Sequence, residues 1–348
     1  MFRPKPRPAL LSESAESRYG SDQNGLVCGY LFTPARTVAP IDSAAAAEWL
    51  ASGKLPADSF VWLHFSLTNA NSEPWMTSHL SLPESFKESL KESVGSTRLE
   101  QEGDALVAVI HDVMFDFTFD AAGVSTVILC LEPRLLLSAR IRPLRSVDKL
   151  RNSIKAGETF RSSAELLSSL LRDQSDVLVE ILRKTTTRVN GIEDSMLENR
   201  VSSNRRELGS LRGMLVRLQR LLAPEPAALF RLLNRPPPWM NDRDVQDLRE
   251  AAEEFSTAAN DSAALVERVK LLQEEMGATV NEQTNKTLFV LTMVTVLALP
   301  INLISGMFGM NVGGIPLAGS PHGFLVIITI VGTITSLLVW LTLGRRRG

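Results

Sequence analysis

The sequence predicts an α/β domain, followed by a long helical stalk and two charge-free apolar helices at the C-terminal end. Three observations predict it. Segments rich in β-branched and aromatic residues alternate with helical ones before residue 160. Helical spacing without strand signals follows to residue 287. From Thr287 to Gly344 there is no Asp, Glu, Lys or Arg.

Residues 1–24 are rich in Pro, Ser and Arg and lack an apolar stretch long enough for a secretory signal, so they read as a disordered tail. The α/β domain is expected over residues 25–160. Its strand candidates are Gly25 to Phe32, Phe60 to Leu67, Ala105 to Phe119 and Val124 to Leu131. Its helix candidates are Ser43 to Gly53 and Glu84 to Gly95, each closed by glycine. Cytosolic helices are expected over 161–240. One carries Leu166, Leu170, Val177, Ile181, Val189, Ile192 and Met196 at helical spacing. A second carries Leu208, Leu211, Leu215, Leu218 and Leu222, ended by Pro224 and Pro226.

The stalk, 241–287, begins after the prolines of RPPPWMND, where Asn241 or Asp242 can cap a helix. Val245, Leu248, Ala252, Phe255, Ala259, Ser262, Val266, Val269, Gln273, Met276 and Val280 step by three and four, a heptad seam weakened at Ser262 and Gln273. Without a break signal it runs into residues 288–308, a span long enough to cross a bilayer. One helix from Asp242 to Phe308 would be roughly 100 Å long. Residues 324–344 form a second span, and the Gly- and Pro-rich stretch GMNVGGIPLAGSPHG (309–323) joins the two. Arg345, Arg346 and Arg347 (in the basic terminus 345–348) and Lys286 flank the spans, and the loop has no Lys or Arg. The positive-inside rule therefore puts both ends of the chain in the cytoplasm.

A net charge of −2 argues against nucleic-acid binding. Cys28 and Cys130 are the only cysteines, with no zinc-knuckle or disulfide spacing. No phosphate loop or nucleophile motif points to an enzyme or to a resident cofactor. His64, His79 and His111 read as core or surface residues.

The first span is less apolar than an anchor needs. Thr292, Thr295, Asn302 and Gly306 lie near one face, with Leu288 and Leu299 in the same stripe. An amide at that depth faces a helix partner or a wet path. Two helices cannot enclose a pore, so a pore would require several copies around an axis. The second span has only Thr329, Thr333, Thr335 and Ser336 as polar residues, which can bond back to their own helix. Asn311 falls just past the first span. Repeated by symmetry, its neutral oxygen could accept hydrogen bonds from the waters of a hydrated divalent cation, an outer-sphere site. Bare zinc would call for His, Cys or carboxylates, and the loop offers only His322.

The Gly309-Met310-Asn311 triplet sits between a Pro-bearing span and a short loop, after a long acidic helix and an α/β domain. The chain thereby resembles the CorA family of divalent-cation transporters over nearly its whole length beyond the tail. The resemblance implies a homopentamer in the bacterial inner membrane, with Asn311 in the entrance ring of a periplasmic loop. It also implies that Gly306, Asn302, Leu299, Thr295, Leu291, Leu288 and Asn285 face the conduction path. Magnesium-transporting members commonly carry Met-Pro-Glu-Leu after this triplet. Here Val312-Gly313-Gly314-Ile315-Pro316-Leu317 stands instead, without a carboxylate. That loop, with Val61-Trp62-Leu63-His64 and Pro238-Trp239-Met240, is similar to the zinc-associated ZntB branch. The resemblance implies Zn²⁺ as cargo, with proton coupling associated with that branch; Mg²⁺ or Co²⁺ is the alternative. A membrane-anchored coiled-coil interaction protein is the alternative from another class.

The stalk is strongly acidic. Asp247, Glu250, Glu254 and Asp261 are the candidates for a cytosolic cation site that concentrates metal or stabilises a closed state, with a solvated outer face as the plain alternative.

Overall fold

The computed structural model describes residues 21–52, 58–91, 97–114, 123–197, 204–310 and 320–344. The chain divides into two units, Met1–Gln273 and Glu274–Gly348.

The first unit is built on one seven-stranded mixed sheet. Its strands are β1 (Leu26–Phe32), β2 (Val38–Pro40), β3 (Phe60–Ser66), β4 (Arg98–Glu102), β5 (Ala105–Val113), β6 (Val124–Glu132) and β7 (Leu135–Arg140). Their order is β2-β1-β3-β7-β6-β5-β4. Only β3 and β7 pair in parallel; the other neighbours are antiparallel.

Both faces of the sheet are covered, and the period of two decides which side chain goes where. Val61, Leu63 and Phe65 face a core shared with α1 (Ser43–Ser52), α2 (Ser72–His79) and α3 (Glu84–Lys91), through Ala46, Trp75, Met76 and Phe86. Phe60 and Trp62 face the other way. They meet α4 (Arg145–Lys155), α5 (Ser163–Leu197), α7 (Pro224–Leu233) and the start of α8 (Asp242–Phe308). Because both faces are buried, these strands read as unbroken apolar runs rather than alternating ones.

Caps set the boundaries. The Asp42 carboxylate accepts the Ala45 amide (2.8 Å) at the start of α1. Glu102, at the end of β4, accepts the amides of Glu84 and Ser85 and so caps α3 from a distant strand. Pro224 opens α7, where its missing N–H costs nothing, after α6 (Asn204–Leu222). Of the two cap candidates for the stalk it is Asn241 that acts: its side-chain oxygen accepts the Asp244 amide at 2.8 Å.

The α/β reading of the domain holds, with some boundaries moved. Asp22 accepts the amides of Asn24, Leu26 and Ser43, so the fold begins before Gly25. β5 ends at Val113, short of the Phe119 expected. Residues 115–119 of that strand candidate, residues 92–95 of the second helix candidate, the first twenty residues of the tail, Asn311 with most of its loop, and the basic C-terminus lie outside the described residues.

The heptad seam of the stalk is packed within its own chain. Leu248, Ala252, Phe255, Ala259, Ser262 and Val269 are all buried. The turn before α5, α5 itself and α6 hold the same helix through Arg161–Asp247 (2.7 Å), Arg268–Glu193 (2.5 Å) and Arg212–Gln273 (2.9 Å) in turn.

The second unit contains the end of α8 and α9 (Gly323–Gly344). α8 continues through Pro300 to Phe308 as one 67-residue helix. Its apolar 18-residue stretch has a mean hydropathy of 2.2, and none of that stretch is buried.

Candidate functional site: a polar stripe on an exposed apolar helix

Between Leu288 and Phe308 the only residues with polar side chains are Thr292, Thr295, Asn302 and Ser305. At 100° per residue Thr292, Thr295 and Asn302 fall within about 80° of arc on α8, and Ser305 lies about 60° beyond Asn302. Gly306 lies in the same arc. Asn285, Leu288, Leu291 and Leu299 extend it along the helix, over about 120° in all. The opposite side carries Val290, Met293, Leu297, Ile301 and Phe308, entirely apolar.

All the stripe residues are exposed, Leu291 at 62% and Leu299 at 65%. So are apolar residues on the other side, Val290 at 60% among them. Exposure therefore does not choose the face; the placement of the polar groups does. Ser305 borders the stripe, about 60° from Asn302, and was not picked out from the sequence. The signal was available, since it lies three residues beyond Asn302.

The hydroxyl of Thr295 donates to the Leu291 carbonyl at 2.9 Å. Its proton is thus taken by its own helix, and the oxygen has only lone pairs to offer outward. Pro300 has no N–H, which leaves the Val296 carbonyl without its helical donor. At the end of α8 the Gly309 amide donates to the Ser305 carbonyl at 2.9 Å, and Met310 is 55% exposed. The face thus offers acceptors and aliphatic side chains, with no charge. In α9, Thr329, Thr333 and Thr335 bond back to Leu325, Thr329 and Val331, as their helix-interior positions suggested.

The four acidic candidates of the stalk share the outward face of α8 but do not form a ligand set. Asp247 is held by Arg161 at 2.7 Å, and Glu250 lies 3.6 Å from Arg172 and accepts from Gln246. Glu254 and Asp261 are exposed. Among the described residues no three His, Cys, Asp or Glu side chains are grouped to hold a metal.

The histidines are structural. Arg140 donates to Nε2 of His64 at 2.9 Å; arginine has no acceptor, so Nδ1 carries the ring proton and donates to Ser138 Oγ at 2.7 Å. Ser138 also accepts Trp62 Nε1 (2.9 Å) and donates to the Leu63 carbonyl (3.3 Å). His79 stacks on Trp75 with ring centroids 4.7 Å apart. His111 is buried beside Glu225, whose carboxylate accepts the His111 amide at 2.5 Å and the Gln174 amide at 2.8 Å. In the second tryptophan cue, Trp239 donates to the Asp104 carbonyl (2.7 Å) and Met240 is buried.

The fold and stripe define a class of protein: an α/β domain with helices on both faces of its sheet, carrying a long helix that ends in an uncharged apolar segment, followed by a second such helix. Comparison with known proteins agrees with that description. The family model described as "CorA-like Mg2+ transporter protein" matches residues 57–346, and the chain belongs to this family. Over 288 residues it is 25% identical to the zinc transport protein ZntB of Yersinia enterocolitica, covering 83% of this chain and 86% of that protein. It is 26% identical over 290 residues to the divalent cation transporter CmaX of Pseudomonas aeruginosa, covering 82% and 86%. The solved structure of full-length CmaX superposes with a TM-score of 0.79 at 23% identity, over 94% of this chain and 99% of that one.

Proposed function

We propose that this chain carries divalent cations across a membrane, Zn²⁺ foremost, through a pore that five copies form around one axis. The observation that carries this reading is the gathering of Thr292, Thr295 and Asn302 into about 80° of arc, with Ser305 at its border, on an otherwise apolar helix. A lone anchor has no use for such a face. A helix whose stripe lines a wet axis does, and neutral acceptors suit a cation that keeps its hydration shell. In this reading the Leu288, Leu291 and Leu299 rings are apolar constrictions. Asn311 forms the outer collar, binding cation through water. α9 forms the lipid-facing ring, and both ends of the chain lie in the cytoplasm of a bacterial inner membrane.

Zinc is favoured by the similarity to ZntB and by the absence of a carboxylate from the 309–323 loop. Magnesium is the second reading, supported by the description of the family model and by the outer-sphere chemistry of the acceptors. The coiled-coil interaction protein is disfavoured, because the seam that would recruit a partner is buried in its own chain.

Reconstitution in liposomes with zinc- and magnesium-sensitive dyes, with and without a pH gradient, tests the reading. Zinc entry faster than magnesium entry supports it, and acceleration by an imposed pH gradient adds proton coupling. No entry of either ion would refute transport.

A further inference from the structure

The chain leaves two complementary charged surfaces unpaired. The first lies beside β4, the outermost strand on one side of the sheet, whose outward backbone groups have no strand neighbour among the described residues. A cavity of about 540 Å³ opens there against α7, lined in part by Arg98, Glu100, Arg231, Leu232 and Arg235. Arg98 donates to Ser89 Oγ at 2.7 Å and lies 3.9 Å from Glu100, so these two charges offset each other. Arg231 and Arg235 remain. They are exposed, one turn apart, and neither has a carboxylate partner among the described residues.

The second surface is the outward side of α8. Helical geometry puts Glu254 and Asp261 about 20° apart in azimuth and about 10 Å apart along the axis, about 100–160° around the helix from buried Phe255 and Ala259. Neither has a cationic partner among the described residues. Their neighbours on the same helix are engaged: Asp247 by Arg161, Glu250 by Arg172, Glu267 by Lys270.

We infer that the Arg231–Arg235 pocket of one copy receives Glu254 and Asp261 of the next copy in a ring. Two unlike surfaces on one chain, each complementary to the other, make a heterologous contact, the kind that builds a cyclic assembly when the rotation between copies closes. The same contact covers the open edge of β4. It gives the stalk acids an electrostatic partner within the assembly rather than a metal. This inference rests on the several-copy reading of the preceding section and names the surface that holds the copies together.

The test uses full-length protein in mild detergent. Three variants are compared with the parent: Arg231→Glu with Arg235→Glu, Glu254→Arg with Asp261→Arg, and all four together. Native mass spectrometry over a dilution series gives the concentration at which the assembly dissociates. Each double reversal is expected to raise that concentration about tenfold or more, and the fourfold variant to restore it, which also shows that the reversed chains fold. Reversals that leave dissociation unchanged, or a fourfold variant no better than the doubles, would overturn the inference while the pore reading stands. Reversals that spare the assembly but abolish binding of inorganic phosphate would reassign the pocket to a small anion, which also overturns it. A parent that is monomeric at every concentration refutes the several-copy reading itself.

Discussion

Thr295 gives its hydroxyl proton to the carbonyl of Leu291, 2.9 Å away, one turn back along the same helix. The consequence is chemical polarity: on that face the threonine accepts and does not donate. The waters around a divalent cation are donors, so an acceptor-only ring favours them. Thr295→Ser keeps this arrangement and is expected to keep cation flux near the parent value. Thr295→Val removes an acceptor ring worth about 1 kcal/mol to the passing ion's waters and is expected to slow zinc entry into liposomes about fivefold. Equal flux from the valine variant would take Thr295 off the conduction path.

Asn302 and Ser305 make a sharper pair. Replacing Asn302 by Leu substitutes a bulky apolar group for an amide at the same azimuth. Flux is expected to fall more than tenfold, whereas Ile301→Leu, on the far side of α8, should leave it unchanged. Ser305→Ala is expected to fall between them. The same dye assay ranks the three.

Glu225 makes the soluble domain sensitive to alkali. Burial raises its carboxyl well above the ordinary value of 4.5, against the opposing hydrogen bonds from His111 and Gln174. The folded state therefore holds a proton that the unfolded chain has already lost. Stability from this group is full below 4.5 and declines as pH rises from there. Asp112, buried and raised from 3.8 to about 6, adds a slope of the same sign. Thermal unfolding followed by tryptophan fluorescence between pH 4.5 and 8 should show the decline. Glu225→Gln should flatten it, leaving the Asp112 contribution. An unchanged slope in the variant would mean that Glu225 titrates alike in both states.

His64 acts in the opposite sense. Burial first, and then the positive charges of Arg140 and Arg151, hold its imidazole well below 6.5. Its contribution is full above 6.5 and is lost as pH falls below it, because protonation would place a cation against Arg140. His64→Leu strands Arg140 and Ser138 in the core and should cost about 2–4 kcal/mol of stability, read as a lowered Tm. Zinc-to-magnesium preference should not change. A shift in ion preference at normal stability would make His64 part of the transport path.

Much of this was legible in the sequence, for physical reasons that differ by element. Strands β3, β5 and β6 are β-branched and aromatic runs, and α8 announces itself by its cap, its seam and its freedom from interior breaks before Pro300. The misses have causes too. β4 (RLEQE) is an exposed edge strand with almost no apolar residue to mark it. β7 (LLLSAR) is six residues long and buried throughout, so its pattern has no period. α2 carries a proline in its first turn, which reads as a breaker although it is harmless there. The heptad seam was visible, but its partner was not. Only the fold reveals that α5 and α6 of the same chain engage that helix. The stripe residues were legible one by one; Ser305 was passed over because a serine near a helix end reads as a terminus.

The most direct test of the central claim is a cysteine scan along α8. Cys130 is buried and Cys28 partly so, and the parent treated with the same reagent gives the background of these native thiols. Single cysteines are placed at Leu291, Thr295, Leu299 and Asn302 on the stripe, and at Val290, Leu297 and Ile301 opposite it. Each variant is then treated with a water-soluble thiol reagent while zinc entry into liposomes is followed. The account predicts block at the four stripe positions and none at the three opposite ones. Block that ignores the stripe, or flux untouched at all seven positions, would contradict it.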